Sequence, residues 1–258
     1  MSPSLLAGAS GTVVAQDPGN ESGDPGSVLF VGNSFTYFNG GVEKQVAALA
    51  AAEEFSREID VDASTEPGAT LKGHWLGSEP DYLDGAVDEI REGDHEVVVL
   101  QGDIPMLFER DVAPFLEYAR LFDREIKDAG AATVFFMTWP YERVDWHERS
   151  DWIDLDGIVE AHRQVEAELD AKVAPVGVAM EKALAERPDL AMLGADREHE
   201  SPAGTYLAAA TIYATLLDQS PEGLDFAPSD VSTGDAAFLQ RVAWETVQEW
   251  QEQTPAAE

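Results

Sequence analysis

The chain contains no cysteine, which excludes disulfide staples, thiolate zinc sites and a cysteine nucleophile. Positive charge is scarce: 16 Lys and Arg stand against 50 Asp and Glu, a formal net charge of −34 over 258 residues. Proteins hold phosphate backbones through Lys/Arg patches, and no such patch exists here, so nucleic acid is excluded as a partner. No apolar run reaches the length of a membrane-spanning helix, so membrane insertion is not expected. Metal-ligand spacing is also missing, since His147 has no second histidine at a ligating distance in sequence. The expectation is a protein with no metal and no cofactor.

What is present suits a globular core: 44% of residues are hydrophobic and 26% charged. The acidic excess is not one block but is spread over amphipathic helix faces, as at Asp81, Asp84, Asp88, Glu89 and Glu92. A diffuse acidic coat keeps a protein soluble but makes the folded state repel itself at low salt. High salt shortens the screening length to a few Å. The expected surface is therefore acidic and halophilic in character.

Residues 1–26 read as a disordered leader or the remnant of a signal segment. Leu5–Ala15 is apolar and rich in small residues, but no Lys or Arg precedes it, and a Gly/Pro/acid tract follows. Localisation stays open between cytoplasmic by default and exported, if that stretch is a truncated signal. From Ser27 onward strand-like runs alternate with helical patterns, the signature of a parallel α/β sheet. Strands are expected at Val28–Val31, Ile59–Ala63, Glu96–Leu100, Ala132–Met137 and Lys172–Val176. Helices are expected at Val42–Glu54, Tyr82–Arg91, Val112–Lys127, Trp152–Leu169, Val178–Ala185, Pro202–Leu217 and Asp235–Gln253. One domain, 27–258, is expected: a three-layer α/β/α sandwich around a central, mostly parallel five-stranded sheet.

Two segments carry chemistry. In Val28-Leu29-Phe30-Val31-Gly32-Asn33-Ser34-Phe35-Thr36 an apolar strand ends in Gly-Asn-Ser. Open parallel sheets bind ligands at the carboxyl ends of their strands, so Ser34 stands where a nucleophile could act, and a plain turn serine is the alternative. The second segment is Asp196-Arg197-Glu198-His199, just before a helix capped by Ser201 and Pro202. A serine hydroxyl needs an imidazole to take its proton, and the imidazole needs an acid to fix its tautomer. Among the five histidines only His199 has an aspartate three residues before it in a loop.

Together, the strand-end Ser34 and the later Asp196-x-x-His199 resemble the SGNH (GDSL-like) hydrolase superfamily, with His199-Glu200-Ser201-Pro202 leading into the next helix. The resemblance implies the flavodoxin-like SGNH fold and a serine esterase with Ser34, Asp196 and His199 catalytic. It also implies an oxyanion hole from the Ser34 N–H, a glycine after the second strand, here Gly68, and a side-chain amide after the third. At that third position the chain reads Gln101-Gly102-Asp103, not the common Gly-x-Asn-Asp. Asp103 cannot donate unless protonated, so Gln101 is the candidate amide. Losing one such donor costs roughly 3–4 kcal/mol of transition-state stabilisation. At the nucleophile, Gly32-Asn33-Ser34-Phe35-Thr36 replaces Gly-Asp-Ser-Leu.

Branches with a glutamine after the third strand include enzymes of acylated carbohydrates. The resemblance therefore points to a short-chain, acetyl-type ester, carried on a small molecule or a carbohydrate. Trp139, Tyr141 and Trp146, joined by His74, form a candidate substrate-binding rim; the alternative is that these rings pack the loop onto the sheet. A non-catalytic carbohydrate- or ligand-binding protein on the same fold is the competing function, favoured by the altered third motif.

Overall fold

The computed structural model describes residues 25–53, 58–77, 86–102, 112–141 and 154–253. The expected 1–26 leader falls outside them, apart from Pro25 and Gly26. Five strands form one sheet: β1 (Ser27–Gly32), β2 (Asp60–Thr65), β3 (Val97–Gly102), β4 (Ala132–Met137) and β5 (Lys172–Ala174). Their order is β2-β1-β3-β4-β5 and every pairing is parallel. The register sets Val28 opposite Val61 on one side and Val97 on the other.

Side chains alternate across a strand, so a strand covered on both faces must be apolar throughout. Val28, Phe30, Val97, Val99, Val134 and Phe136 point into one core. Leu29, Val31, Val98, Leu100, Phe135 and Met137 point into the other. The first core is closed by α2 (Val42–Ala51), α7 (Val176–Glu186), α8 (Pro202–Leu217) and α9 (Thr233–Gln253). The second is closed by α3 (Leu71–Leu76), α4 (Ala86–Glu92), α5 (Ala113–Asp128) and α6 (Leu155–Leu169). The result is the three-layer α/β/α sandwich read from the sequence. The edge strand β2 carries exposed Asp60 and Asp62, charges that discourage pairing with another chain.

Helix α8 is buried along nearly its whole length. Small residues allow this: a side chain on Gly204 would put its Cβ 2.2 Å from the Met192 carbonyl oxygen. Ser201 caps the helix by accepting from the Gly204 N–H at 3.1 Å, with Pro202 in its first turn. Among the described residues no helix is long and apolar enough to cross a membrane.

Several boundaries differ from the sequence reading, three of them for a visible reason. β5 stops at Ala174 because Pro175 cannot donate to the ladder, and α7 begins at Val176. α9 starts at Thr233, where the Ser232 hydroxyl accepts from the Asp235 N–H at 3.1 Å. The short α1 (Ser34–Tyr37), the 3₁₀ turn Phe38–Gly40 and α3 were not expected; each is too brief to show a helical period.

Candidate active site

The sheet order reverses direction between β1 and β3, and crevices open at the carboxyl ends of strands at such a point. β1 ends there in Gly32, Asn33 and Ser34. Asn33 is buried and holds the turn in three ways. Its side-chain oxygen accepts from the Phe35 N–H at 3.1 Å, capping α1. Its amide nitrogen donates to the Ala69 carbonyl at 3.1 Å, tying the β2–α3 loop to the serine. Its backbone N–H donates to Gln101 Oε1 at 2.8 Å. Gln101 Oε1 also accepts from the Thr36 hydroxyl at 3.2 Å, so the end of β3 braces the whole turn. A side chain at 32 would meet Thr36 Oγ1 at 2.4 Å and Gln101 at 2.6 Å, which is why glycine stands there.

Ser34 is half-buried, and its Oγ lies 2.8 Å from His199 Nε2. His199 Nδ1 lies 2.8 Å from Asp196 Oδ2. A carboxylate can only accept, so Nδ1 carries the proton and Nε2 is free to accept from the serine hydroxyl. Asp196 Oδ1 accepts from the backbone N–H groups of Glu198 and His199, each at 3.1 Å. Arg197, at φ +61°, makes the left-handed turn that aims both at one oxygen. Burial alone would raise the Asp196 pKa, but the His199 hydrogen bond and the two N–H groups outweigh it and hold the carboxyl below its usual range. The loop is pinned at its base by Gly194 N–H to His199 carbonyl at 2.7 Å and Ser201 N–H to Met192 carbonyl at 2.9 Å.

Gly68 adopts φ +66°, a conformation that favours glycine, at an exposed position next to the Ala69 that Asn33 holds. Among the described residues no acceptor engages the N–H of Ser34 or of Gly68. Among the described residues there is also no group of three or more His, Asp or Glu able to hold a metal ion.

No family model and no curated protein matches the sequence. Solved structures match its fold. A protein from Slackia heliotrinireducens described as an SGNH hydrolase aligns with a TM-score of 0.58 at 25% identity, over 73% of this chain and 97% of that one. A DUF4886 family protein from Bacteroides uniformis aligns at 0.65 and 16% identity, over 89% and 96%. The acetyl xylan esterase AlAXEase aligns at 0.57 and 15% identity, over 73% and 98%. The chain has the SGNH hydrolase fold.

Within this SGNH fold three sequence expectations need correction. Trp139 and Tyr141 are 2% and 3% exposed and pack on Phe35 with ring centroids 4.9 and 5.3 Å apart, so they are walls behind the Ser34 turn, not a solvent-facing rim. Trp139 also donates its indole N–H to the Glu198 carbonyl at 3.0 Å, bracing the His199 loop. His74 is 1% exposed; its Nε2 donates to the Gly32 carbonyl at 2.9 Å, and burial pushes its pKa down, keeping the ring neutral. Trp146 and Asp103 lie outside the described residues. Gln101 spends its oxygen on the Ser34 turn, while its Nε2 is buried without a partner among the described residues, so it does not present an amide at the surface of the site.

Asn33, the polar residue between an apolar strand and the serine, is the keystone of the turn through its hydrogen bonds within the loop. Sequence reasoning missed one group. Phe38 stacks on the His199 ring, centroids 3.9 Å apart and planes 7° apart, while Phe35 meets the same ring edge-on at 5.5 Å.

Proposed function

We propose that the chain is a serine esterase that hydrolyses short-chain, acetyl-type esters through an acyl-enzyme, the acetyl group being carried on a carbohydrate. The observation that carries this reading is the unbroken contact chain from Ser34 Oγ to His199 Nε2 and from His199 Nδ1 to Asp196 Oδ2, both 2.8 Å. Ser34 attacks the ester carbonyl as His199 takes its proton; the tetrahedral oxyanion is held by the N–H groups of Ser34 and Gly68. His199 then returns the proton to the departing alkoxide, leaving acyl-Ser34. Water attacks this acyl group with His199 again as base, releasing the acid and restoring the serine.

An acetyl xylan esterase is among the structures sharing the fold, which supports the acetyl reading. The acidic coat is proposed as an adaptation to high salt.

The test compares p-nitrophenyl acetate, butyrate and octanoate with acetylated xylo-oligosaccharide, for the native chain and for Ser34→Ala. The acetyl compounds should be preferred, and Ser34→Ala should be folded and inactive. A preference for octanoate would overturn the substrate class. An inactive native chain that still binds the oligosaccharide would favour a binding protein on this fold.

A further inference from the structure

A histidine that works as a base needs more than a partner at each nitrogen. Its ring turns about the Cβ–Cγ bond in a broad, shallow well, so something must hold the plane. Asp196 cannot do this alone, because its side chain is 49% exposed and belongs to the same loop as His199. The face of the imidazole is covered instead by Phe38, with the two planes only 7° apart and centroids at 3.9 Å.

Phe38 is held there by its neighbour. Asn39 takes a left-handed backbone conformation, φ +48°, and Gly40 and Gly41 follow at +91° and +97°. This run reverses the chain so that Asn39 Nδ2 reaches across to the other half of the site. It donates to the Glu200 carbonyl at 2.9 Å and to Thr205 Oγ1 at 2.8 Å. The Asn39 carbonyl accepts from Gln45 Nε2 at 3.5 Å. The turn after the nucleophile is thereby fastened to the residue after the base and to the first turns of α8.

The stacking geometry itself carries information. Two neutral aromatic rings avoid a face-to-face arrangement because the negative faces of their quadrupoles oppose. A cation over the same face is attracted. A near-parallel contact at 3.9 Å thus favours the imidazolium over the neutral imidazole, and the imidazolium exists only while the serine proton is held. An interaction stronger in the transition state than in the resting enzyme accelerates the chemical step. Asp196, Glu198 and Glu200 are the acidic groups on the His199 loop, and Arg197 is its one basic group besides His199. The segment covering it from the other side, residues 34–41, brings no charge and only the Tyr37 phenol, and residues 139–141 bring only that of Tyr141.

We infer that Phe38 is a positioning residue for His199, clamped by Asn39, and that its ring face stabilises the protonated base during ester cleavage. The inference rests on the Ser34–His199–Asp196 reading above.

The test uses the full chain and the variants Phe38→Leu, Phe38→Tyr and Asn39→Gly, the last keeping the backbone conformation while deleting the tether. Four quantities are followed: kcat and KM for p-nitrophenyl acetate, the acid limb of the kcat/KM profile, Ser34 labelling by a fluorophosphonate, and the His199 ring-proton resonances. Phe38→Leu should lower kcat about threefold with KM unchanged and the melting temperature little changed. Its acid limb should fall by about half a pH unit, the size of an exposed cation–π contact. The His199 protons should lose the upfield ring-current shift. Phe38→Tyr should restore all of these, and Asn39→Gly should fall between. Overturning results are a Phe38→Leu variant labelled and turned over at the native rate, a change confined to KM, or unshifted His199 resonances in the native chain. A native chain that neither labels nor hydrolyses removes the esterase reading instead, and with it the positioning role given to Phe38.

Discussion

Replacing Asp196 with Asn tests the site more sharply than deleting it. In the native loop Oδ1 accepts two backbone N–H groups at 3.1 Å and Oδ2 accepts Nδ1–H of His199 at 2.8 Å. An asparagine has one acceptor and one donor end to offer these places. The two N–H groups claim the carbonyl, since the flipped amide would set its NH₂ against two donors. The NH₂ then faces Nδ1, which must become an acceptor, and the ring proton moves to Nε2. A protonated Nε2 cannot accept from Ser34, so the loop keeps its shape while the base is lost. In a fully buried triad this exchange lowers kcat by about 10⁴-fold. Asp196 is 49% exposed, so water can substitute in part, and a loss of about 10³-fold is expected. The assay is p-nitrophenyl acetate turnover, with the melting temperature as the fold control. A folded Asp196→Asn variant retaining more than a third of native kcat would refute the reasoning.

Other perturbations address the scaffold. Gln101→Leu strands the buried Asn33 N–H and the Thr36 hydroxyl; a loss of about 1–3 kcal/mol in urea unfolding is expected, together with reduced turnover. Unchanged unfolding would show that Gln101 braces nothing. Burial pushes the Glu200 carboxyl up to about 8, with Asp196 adding to the effect. The folded chain therefore holds a proton that the unfolded chain releases above about 4.5. Stability from this source is complete below that pH and is lost as pH rises through about 8. Glu200→Gln should thus match the native melting temperature near pH 4.5 and exceed it at pH 9; an equal difference at both values would contradict this. With a net charge of −34, the melting temperature should rise between 0.1 M and 2 M KCl as the screening length shrinks from about 10 Å to a few Å, and a flat response would speak against salt adaptation.

Most of the sheet was legible because its inner strands are buried on both faces: the Val97-Val98-Val99 run and Ala132–Met137 have no polar alternation to confuse them with helices. α8 was legible through its Ser201-Pro202 start. The contacts of His199 with Ser34 and with Asp196 were expected only from the resemblance to SGNH hydrolases, because a strand-end serine and an Asp-x-x-His loop do not by themselves imply that they meet. The roles of the aromatic residues were not legible. Nothing in the spacing of Trp139 and Tyr141 distinguishes rings that face solvent from rings that support Phe35 and the Glu198 carbonyl. Gln101 was read as a donor, but it is the oxygen that the turn uses, a choice set by the Asn33 N–H across 68 residues of sequence. Phe38 lies in a turn too short for any periodic signal, and its contact with His199 depends on a left-handed asparagine.

A fluorophosphonate probe followed by peptide mass mapping measures the central claim directly. Ser34 should carry the phosphonyl adduct, labelling should collapse in His199→Ala while the chain stays folded, and no other serine should react at a comparable rate. An adduct on a different serine, or a native folded chain that takes up no probe, would contradict the account.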